Sequence, residues 1–483
     1  MKQYQLYING EWMEAESGKR YEVINPVNRE AVASVPYGDE LDARKAVEAA
    51  AAAFREWSIT PARDRAALLM NIQDKMLERT EEFAQAIALE MGKPIAQARS
   101  EVAIAADFIA WNAEEAKRVY GEIIPASFRN KRLMTVRQPV GPVAAITPWN
   151  FPLSMITRKV APALAAGCTV GLKPASQTPG SAVLFFQLVE EVGMPKGVVN
   201  LVTGSANRIA EEFLKNPLIR KITFTGSTEI GKQLIRGAAD QVKRVSMELG
   251  GHAPFIVFED ADLEAAATGA LLCKFRNTGQ TCICANRIYV QESVAEEFLK
   301  IFVQKVNAMK IGDSMDETTE IGPLVNASGL EKAKEHIRDA LAKGAELVCG
   351  GDTPPGDIFE RGFFLAPTVL RKVTDDMLIS SEETFGPVAP IYTFKTEDEV
   401  IAKANNTNYG LAAYFYSNDI SRIVRVYEQL EFGIIGVNDP GPTNLAAQGP
   451  FGGVKESGLG REGGPHSLHD FLETKFISMQ LKV

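Results

Sequence analysis

Apolar positions along the chain follow two alternating patterns, which together predict an α/β protein. From residue 136 onward, short apolar runs typical of strands alternate with longer stretches of helical periodicity. The runs predict strands at 143–146, 169–172, 198–202 and 222–225, with helices at 152–167, at 181–192 and from 206 onward. Alternation of this kind predicts a parallel sheet that is covered by helices on both faces.

The alternation resumes after Gly251 and predicts a second α/β unit that extends to about residue 445. Its first elements are strands at 254–258 and 287–290 and helices at 262–275 and 294–309. Before the first sheet, residues 6–12 predict a hairpin around an Asn-Gly turn, and helical stretches follow at 42–57 and 61–90. The last stretch, 474–483, alternates like a strand and is expected to pair outside the two main units.

Composition and charge exclude several classes of partner. The chain has 483 residues, 46% of them hydrophobic, and a net charge of −9 at pH 7. A nucleic acid or an anionic membrane needs a basic footprint, so neither is expected to bind. The N-terminus lacks the pattern of a signal peptide, and no apolar run has the length of a membrane span. Five cysteines in so long a chain do not form a disulfide framework, so a cytoplasmic protein is expected.

One cysteine stands in a setting that favours chemistry. Cys282 ends the polar, glycine-containing segment 277–282, whereas Cys168, Cys273 and Cys349 are better interpreted as small buried apolar groups. The same packing interpretation remains open for Cys282. A thiol that attacks a carbonyl also needs a base, oxyanion donors and an acceptor for what leaves.

Polar residues that suit these roles follow the predicted strands of the first sheet. Asn150 has an amide for an oxyanion, or it caps the next helix. Glu248 supplies a carboxylate beside two glycines, although a solvated surface role is the common alternative. Ser227 opens a helix whose free N–H groups suit a pyrophosphate, and Lys173 adds a cation. Ligands bind at the carboxyl ends of strands in open α/β sheets, so these residues are expected to meet.

Taken together, the motifs resemble those of the aldehyde dehydrogenase superfamily over nearly the whole chain. They are Met91-Gly-Lys-Pro94, Thr147-Pro-Trp-Asn150-Phe151-Pro152, Lys173-Pro-Ala-Ser176, Phe224-Thr-Gly-Ser227, Glu248-Leu-Gly-Gly251, Gly279-Gln-Thr-Cys282, Glu382-Glu383-Thr-Phe385-Gly-Pro387 and Pro450-Phe-Gly-Gly453. The resemblance implies an enzyme that oxidises an aldehyde to a carboxylate through a thioester. It implies Cys282 as nucleophile, Asn150 as oxyanion donor and Glu248 as base.

The resemblance also implies a nicotinamide cofactor and the residues that bind it. They are Trp149, Lys173, Ser176, Gly226, Ser227, Gly231, Leu249, Glu383 and Phe385. Within the family a glutamate at the place of Ser176 favours NAD and repels a 2′-phosphate. The neutral serine therefore favours NADP, with NAD as the open alternative.

Among subfamilies, the chain looks most like succinate-semialdehyde dehydrogenases. That resemblance implies that Arg158 and Arg287 hold the distal carboxylate of the substrate, whereas arginines otherwise usually form surface ion pairs. It also places Phe151 and Phe451 in the substrate pocket, and Thr443 is a candidate to replace the hydroxyl that the loop at 438–450 contributes in the subfamily. The loop at 438–450 departs from the subfamily because it lacks the usual serine. Lactaldehyde, glycolaldehyde and sulfolactaldehyde therefore remain alternative substrates.

The family's architecture implies a Rossmann-type cofactor domain, an α/β catalytic domain and a small β oligomerisation arm. The expected ranges are 1–117 with 139–250, then 251–447, and for the arm 118–138 with 448–483. The arm would pair subunits into homodimers or homotetramers. Cys284 resembles the second thiol of a redox switch found in some relatives, although a packing role is the alternative.

Two other classes of protein are alternatives to an aldehyde dehydrogenase. A cysteine hydrolase would also use Cys282 but would need a histidine base. The sequence cannot place any of the four histidines beside the thiol. A non-catalytic descendant would be expected to have lost Cys282, Glu248 or Asn150, and all three are present. No metal site is predicted.

Overall fold

The computed structural model describes residues 1–441 and 447–482. Its strands are β1 (Lys2–Gln3), β2 (Leu6–Ile8), β3 (Glu11–Met13), β4 (Arg20–Ile24), β5 (Ala31–Pro36), β6 (Glu122–Ile124), β7 (Lys131–Pro139), β8 (Val143–Ile146), β9 (Val170–Lys173), β10 (Val199–Leu201), β11 (Lys221–Thr225), β12 (Arg244–Glu248), β13 (Ala253–Val257), β14 (Ala285–Gln291), β15 (Glu346–Cys349), β16 (Thr368–Arg371), β17 (Val388–Phe394), β18 (Ala412–Tyr416), β19 (Ile434–Val437), β20 (Gly458–Leu459) and β21 (Leu472–Gln480). Its α-helices are α1 (Glu40–Ile59), α2 (Ala62–Glu78), α3 (Thr80–Met91), α4 (Ile95–Glu115), α5 (Ser154–Ala166), α6 (Gly180–Glu191), α7 (Ala206–Lys215), α8 (Thr228–Ala239), α9 (Leu263–Phe275), α10 (Ala295–Ala308), α11 (Ala327–Ala342), α12 (Asp357–Arg361), α13 (Leu378–Ser381), α14 (Glu397–Asn405), α15 (Ile420–Gln429) and α16 (His466–His469).

The first large sheet has the order β20-β12-β11-β8-β9-β10-β2-β3 in the described part of the chain. Its five central strands, β12 to β10, are parallel, and the hairpin of β2 and β3 lies at one edge. The chain goes from β8 to β9 and β10 in one direction and then returns to β11 on the other side of β8. The strand order therefore reverses beside β8, and a reversal of this kind leaves a crevice at the carboxyl ends of the strands.

The second large sheet has the order β15-β16-β17-β14-β13-β18-β19. Its strands are parallel except for β15, which pairs antiparallel to β16. Only residues 249–252 separate β12 of the first sheet from β13 of the second. The carboxyl end of one sheet consequently faces the amino end of the other, and the predicted α/β class with two parallel sheets is confirmed.

A small antiparallel sheet of β21, β7 and β6 lies apart from both large sheets. The strand predicted at 474–483 is therefore present and begins at Leu472. β20, which lies within the range 448–483 expected for the arm, pairs with β12 in the first large sheet. Gly458 makes that pairing possible, since a Cβ there would lie 2.1 Å from the carbonyl oxygen of Met247. The division into three domains remains a prediction.

Local signals account for some of the helix ends. The Asp39 side chain forms a capping box at the start of α1, and Gly167 ends α5 with a left-handed φ of 95°. The predicted helical stretch 61–90 differs from the structure, where it is divided at Arg79 into α2 and α3. The apolar periodicity continues across this break because both helices pack against α4, so the pattern alone does not locate it.

No helix in the described part of the chain combines the length and the apolar character that a membrane crossing requires.

Candidate active site

The predicted residues meet where the two large sheets face each other. Asn150 follows β8, Ser227 follows β11, and Glu248 ends β12, all at the carboxyl edge of the first sheet. Cys282 lies three residues before β14, and Phe385 lies three residues before β17, both at the amino edge of the second sheet. Parallel strands bring their ends to one edge, so the topology collects these distant segments at one place.

The segment before Cys282 is a strained turn held by side chains. Asn277, Thr278 and Gly279 have consecutive left-handed φ angles of 53°, 58° and 74°. A β-branched residue is rare in this region, so the surrounding contacts must impose the conformation. The Thr278 hydroxyl donates to the Gly322 carbonyl, and the Gln280 carboxamide oxygen accepts from the Val325 N–H.

Cys282 lines two different cavities. One is a groove of about 200 Å³ that also contains Trp149, Asn150 and Ser227. The other is a small chamber of about 50 Å³ that also contains Phe151 and Arg158. Met155 is the other residue common to both linings, so the thiol lies at the junction between groove and chamber.

The groove has the features that a nicotinamide dinucleotide requires. Gly226 and Ser227 lie at the start of the 12-residue helix α8, where free N–H groups and the helix dipole suit a pyrophosphate. The Glu383 carboxylate faces the groove and accepts from the Gly251 N–H at 3.0 Å. The rings of Trp149 and Phe385 meet edge to face, with centroids 5.5 Å apart. The residues present therefore fit the predicted cofactor.

Three of the predicted cofactor residues are not in the lining of the groove. Lys173 ends β9 and is buried, and burial lowers the pKa of its ammonium to about 8. Ser176 follows in the loop after β9 and is half-buried. Gly231 lies behind the groove, where a Cβ would come within 2.3 Å of the Leu249 side chain. Its lack of a side chain allows Leu249, which does line the groove, to pack on α8.

The chamber is mostly apolar and contains a cation held between aromatic rings. The Arg158 guanidinium carbon lies 4.5 Å from the Phe108 ring centroid and 4.4 Å from that of Phe451. Its Nε and one terminal nitrogen have no hydrogen-bond partner among the described residues, although both are buried. That terminal nitrogen, Nη1, lies 4.0 Å from the Glu462 carboxylate, so it has an ion-pair contact without a hydrogen bond. Buried donors without hydrogen bonds are costly, and an anionic ligand group would supply the missing acceptor.

A second arginine of the chamber is one that sequence reasoning missed. Arg276 lines the chamber beside Phe151, with its guanidinium carbon 5.7 Å from the ring centroid. It follows directly after α9 and precedes the strained turn to Cys282. A cation at a helix end that leads into the nucleophile's turn was the signal that could have identified it.

The structure places Arg287 elsewhere, and its predicted contact with the substrate is wrong. Its guanidinium donates to the backbone carbonyls of His252, Lys403 and Ala404 at 2.9–3.1 Å. These bonds connect β14 to the end of α14 and to the residue before β13, outside the chamber. Thr443, the other predicted polar substrate residue, lies outside the described residues.

No histidine is in the lining of either cavity. Within the described chain, the ring of His252 bonds to the Ser380 carbonyl, and that of His336 bonds to the Thr384 hydroxyl. A cysteine hydrolase with a histidine base is therefore disfavoured.

Comparison with known proteins agrees with this geometry. Residues 12–477 match the aldehyde dehydrogenase family. The chain is 51% identical to a succinate-semialdehyde dehydrogenase (NADP+) of Escherichia coli K12, covering 99% of this chain and 98% of the relative.

The chain belongs to the aldehyde dehydrogenase family.

Further relatives have different substrates in their names. A glutarate-semialdehyde dehydrogenase of Pseudomonas putida KT2440 is 49% identical, over 99% of this chain and 98% of the relative. A 3-sulfolactaldehyde dehydrogenase of Pseudomonas putida is also 49% identical, over 98% of this chain and 96% of the relative. The solved structure of an NADP-dependent enzyme of Escherichia coli superposes with a TM-score of 0.97 at 50% identity, covering 99% of this chain and 98% of that one. The predicted family and fold are thus confirmed.

Acidic groups surround the thiol of this aldehyde dehydrogenase. Burial raises the pKa of Cys282 to about 12, Glu383 and Glu248 add to the rise, and Arg158 opposes it. Burial also raises the pKa of Glu383 to about 7. The pKa of Glu248 is raised well above its usual value, first by burial and then by the nearby carboxylate of Glu462. One Glu248 oxygen has no hydrogen-bond partner among the described residues.

Cys284 is fully buried, and its thiol donates to the Lys274 carbonyl at 3.4 Å. This contact agrees with a packing role in the enzyme, and the redox switch remains a prediction.

Proposed function

We propose that this aldehyde dehydrogenase oxidises a small anionic aldehyde to its carboxylate through a thioester on Cys282. The observation that carries the proposal is the position of Cys282 between a groove that fits a dinucleotide and a chamber that contains arginine. A sulfur atom at this junction has an aldehyde on one side and a hydride acceptor on the other.

Each step has a group of this chain beside it. The Cys282 thiol gives its proton to solvent water, and the thiolate adds to the aldehyde carbon. The new C–S bond replaces the carbonyl π bond, whose electron pair places a negative charge on the former carbonyl oxygen. The Asn150 amide, which donates to the Gln280 carbonyl at 3.1 Å, would turn to that oxyanion. A bound nicotinamide supplies the hydride acceptor, and a thioester remains on the sulfur. Glu248 then takes a proton from water, whose oxygen displaces the thiolate and yields the carboxylate.

Replacing the nucleophile tests the central assignment. We expect Cys282→Ala to abolish aldehyde oxidation, measured by absorbance of the reduced cofactor, while the affinity for NADP stays within about threefold (a free-energy change of about 0.65 kcal/mol). Cys349→Ala is the matched control, because this half-buried thiol lies on β15, far from both cavities. Turnover retained by Cys282→Ala would contradict the thioester.

The substrate class follows from the chamber. A small, mostly apolar space lined by Arg158, whose Nε and Nη1 make no hydrogen bond within the described residues, suits a short aldehyde with a distal carboxylate or sulfonate. The names of three relatives, which refer to succinate semialdehyde, glutarate semialdehyde and 3-sulfolactaldehyde, support this class. We propose succinate semialdehyde as the first substrate to test, with Arg158 and Arg276 as its anion site.

A pair of arginine variants separates binding from stability. We expect Arg158→Met to raise KM for succinate semialdehyde about a hundredfold, since charge-assisted hydrogen bonds contribute about 1.5–3 kcal/mol, and to leave KM for butanal nearly unchanged. Arg287→Met is the control. It should lower the free energy of unfolding in urea by about 3 kcal/mol, because carbonyls lose their donors, with KM unchanged. Equal KM values for Arg158→Met and the wild type would refute the anion site.

For the cofactor we propose NADP in preference to NAD. Ser176 leaves no negative charge at the position where the family's glutamate repels a 2′-phosphate, and Lys173 adds a nearby cation on β9. The NADP in the names of a relative and of a solved structure supports this preference.

A charge introduced at this position should reverse the preference. We expect Ser176→Glu to lower kcat/KM for NADP at least tenfold (about 1.4 kcal/mol of repulsion) and to leave kcat/KM for NAD nearly unchanged. Ser176→Ala should lower kcat/KM for NADP far less. A wild type that strongly prefers NAD would count against the proposal.

We further propose that subunits associate through the small sheet into a homodimer or homotetramer. Its strands expose large apolar side chains, with Ile123 at 88% and Phe476 at 60%, and exposed apolar patches of this kind favour association. Light scattering should give a multiple of the 52.6 kDa chain mass, and Phe476→Glu should reduce it. A wild-type mass of one chain would refute the proposal.

A reducing cytoplasm is the compartment we propose, because all five cysteines are free. Recovery of the native protein in a periplasmic or membrane fraction would contradict this.

A further inference from the structure

A buried ion pair lies beneath the site and takes no part in the proposed steps of aldehyde oxidation. Lys93 belongs to the segment 91–94, and its ammonium contacts the Glu101 carboxylate, with side chains that are 1% and 0% exposed. Replacing a buried ion pair by apolar side chains often leaves the stability of a protein unchanged. Stability alone therefore does not explain the ion pair of Lys93 and Glu101.

Lys93 reaches the backbone of the proposed oxyanion donor. Its Nζ donates to the Asn150 carbonyl oxygen at 2.8 Å and lies 3.8 Å from the centroid of the Phe151 ring. The Asn277 amide donates to the same carbonyl at 3.0 Å. The peptide of Asn150 is thus held by a cation from one side and by the nucleophile's turn from the other.

Glu101 fixes the residues that follow. One of its carboxylate oxygens accepts from the N–H groups of Leu153 and Ser154 at 2.9 and 3.2 Å, at the start of α5. The other carboxylate oxygen contacts Lys93. The pair therefore fixes the segment 150–154 at both ends.

Helix α4 also contacts the turn that carries the nucleophile. Gln97 lies one helical turn before Glu101, and its carboxamide oxygen accepts from the Asn277 N–H at 2.8 Å. Two side chains on one face of a rigid helix consequently set the distance between the Asn150 segment and the Cys282 turn.

We propose that Lys93 is a positioning residue that acts through Asn150 and keeps its amide aligned with Cys282. The proposal rests on the proposed oxyanion role of Asn150. Its physical basis is the steep dependence of catalysis on alignment, where a displacement of about 1 Å can cost a hundredfold in rate. The charge of Lys93 makes the hydrogen bond to the Asn150 carbonyl stronger than a neutral donor would.

A double-mutant cycle tests this coupling. The variants are Lys93→Met, Asn150→Ala and the double variant, each assayed for kcat, for KM of succinate semialdehyde and for NADP affinity by fluorescence titration. We expect Lys93→Met to lower kcat roughly thirty- to a hundredfold with KM and NADP affinity within about twofold, and Asn150→Ala to lower kcat by about a hundred- to a thousandfold. In the Asn150→Ala background, Lys93→Met should have no further effect.

Lys221→Met is the matched control. Lys221 is also buried, contacts Ser246 and lies 5.0 Å from the centroid of the Phe471 ring, but it is at the opposite end of β11 from the site. The Lys221→Met variant should have a kcat within about twofold of the wild-type value. If Lys93→Met does not fold, Glu101→Gln replaces it in the cycle, because this change keeps the volume and an acceptor for Leu153.

The outcomes separate the two proposals. Multiplicative losses in the double variant, with Asn150→Ala itself impaired, would overturn the positioning role and leave the oxyanion assignment intact. Full activity of Asn150→Ala would overturn the oxyanion assignment and, with it, the positioning role.

Discussion

The close approach of two chain segments at Gly251 is the constraint on which the rest of the site depends. A Cβ at this position would lie 2.2 Å from the carbonyl oxygen of Cys282, so only glycine allows the contact. Gly251 is also part of the four-residue connection between β12 and β13. The connection therefore brings the carboxyl edge of one sheet against the amino edge of the other, and Glu248 and Cys282 come from the two sides of this junction.

The electrostatics of the junction follow from the same closeness. Burial raises the pKa of both Glu248 and Glu383, and the nearby carboxylate of Glu462 raises the pKa of Glu248 further. Arg158 and Lys159 supply the opposing positive charge on successive residues of α5. The pKa values of the proposed base and of the proposed nucleophile are thus both raised above their ordinary values.

Much of this arrangement could be predicted from the sequence, and the failures have physical reasons. Strand and helix alternation identified both sheets because each strand is buried on two faces and reads as an apolar run. Motifs at the carboxyl ends of strands pointed to Asn150 and Glu248, and the polar segment 277–282 pointed to Cys282. The topology brings the three residues to one junction, and their catalytic roles are proposals. Arg287 was assigned to the substrate from the subfamily resemblance, whereas its place within the buried strand β14 directs its donors to backbone carbonyls. Lys93 was overlooked because Asn150, whose carbonyl it contacts, lies far away along the chain. Arg276 was overlooked although it directly follows a helix end and leads into the turn of Cys282.

Cys282 forms part of the wall of two separate cavities, and this has a kinetic meaning. With the proposed aldehyde in the chamber and the proposed dinucleotide in the groove, the two ligands approach the sulfur from different directions and do not compete for the same binding space. Both can be present at once, so neither has to depart before the other arrives. The arrangement is that of an enzyme that works through a ternary complex. In such a complex the nicotinamide cofactor is already bound when the carbon–sulfur bond forms.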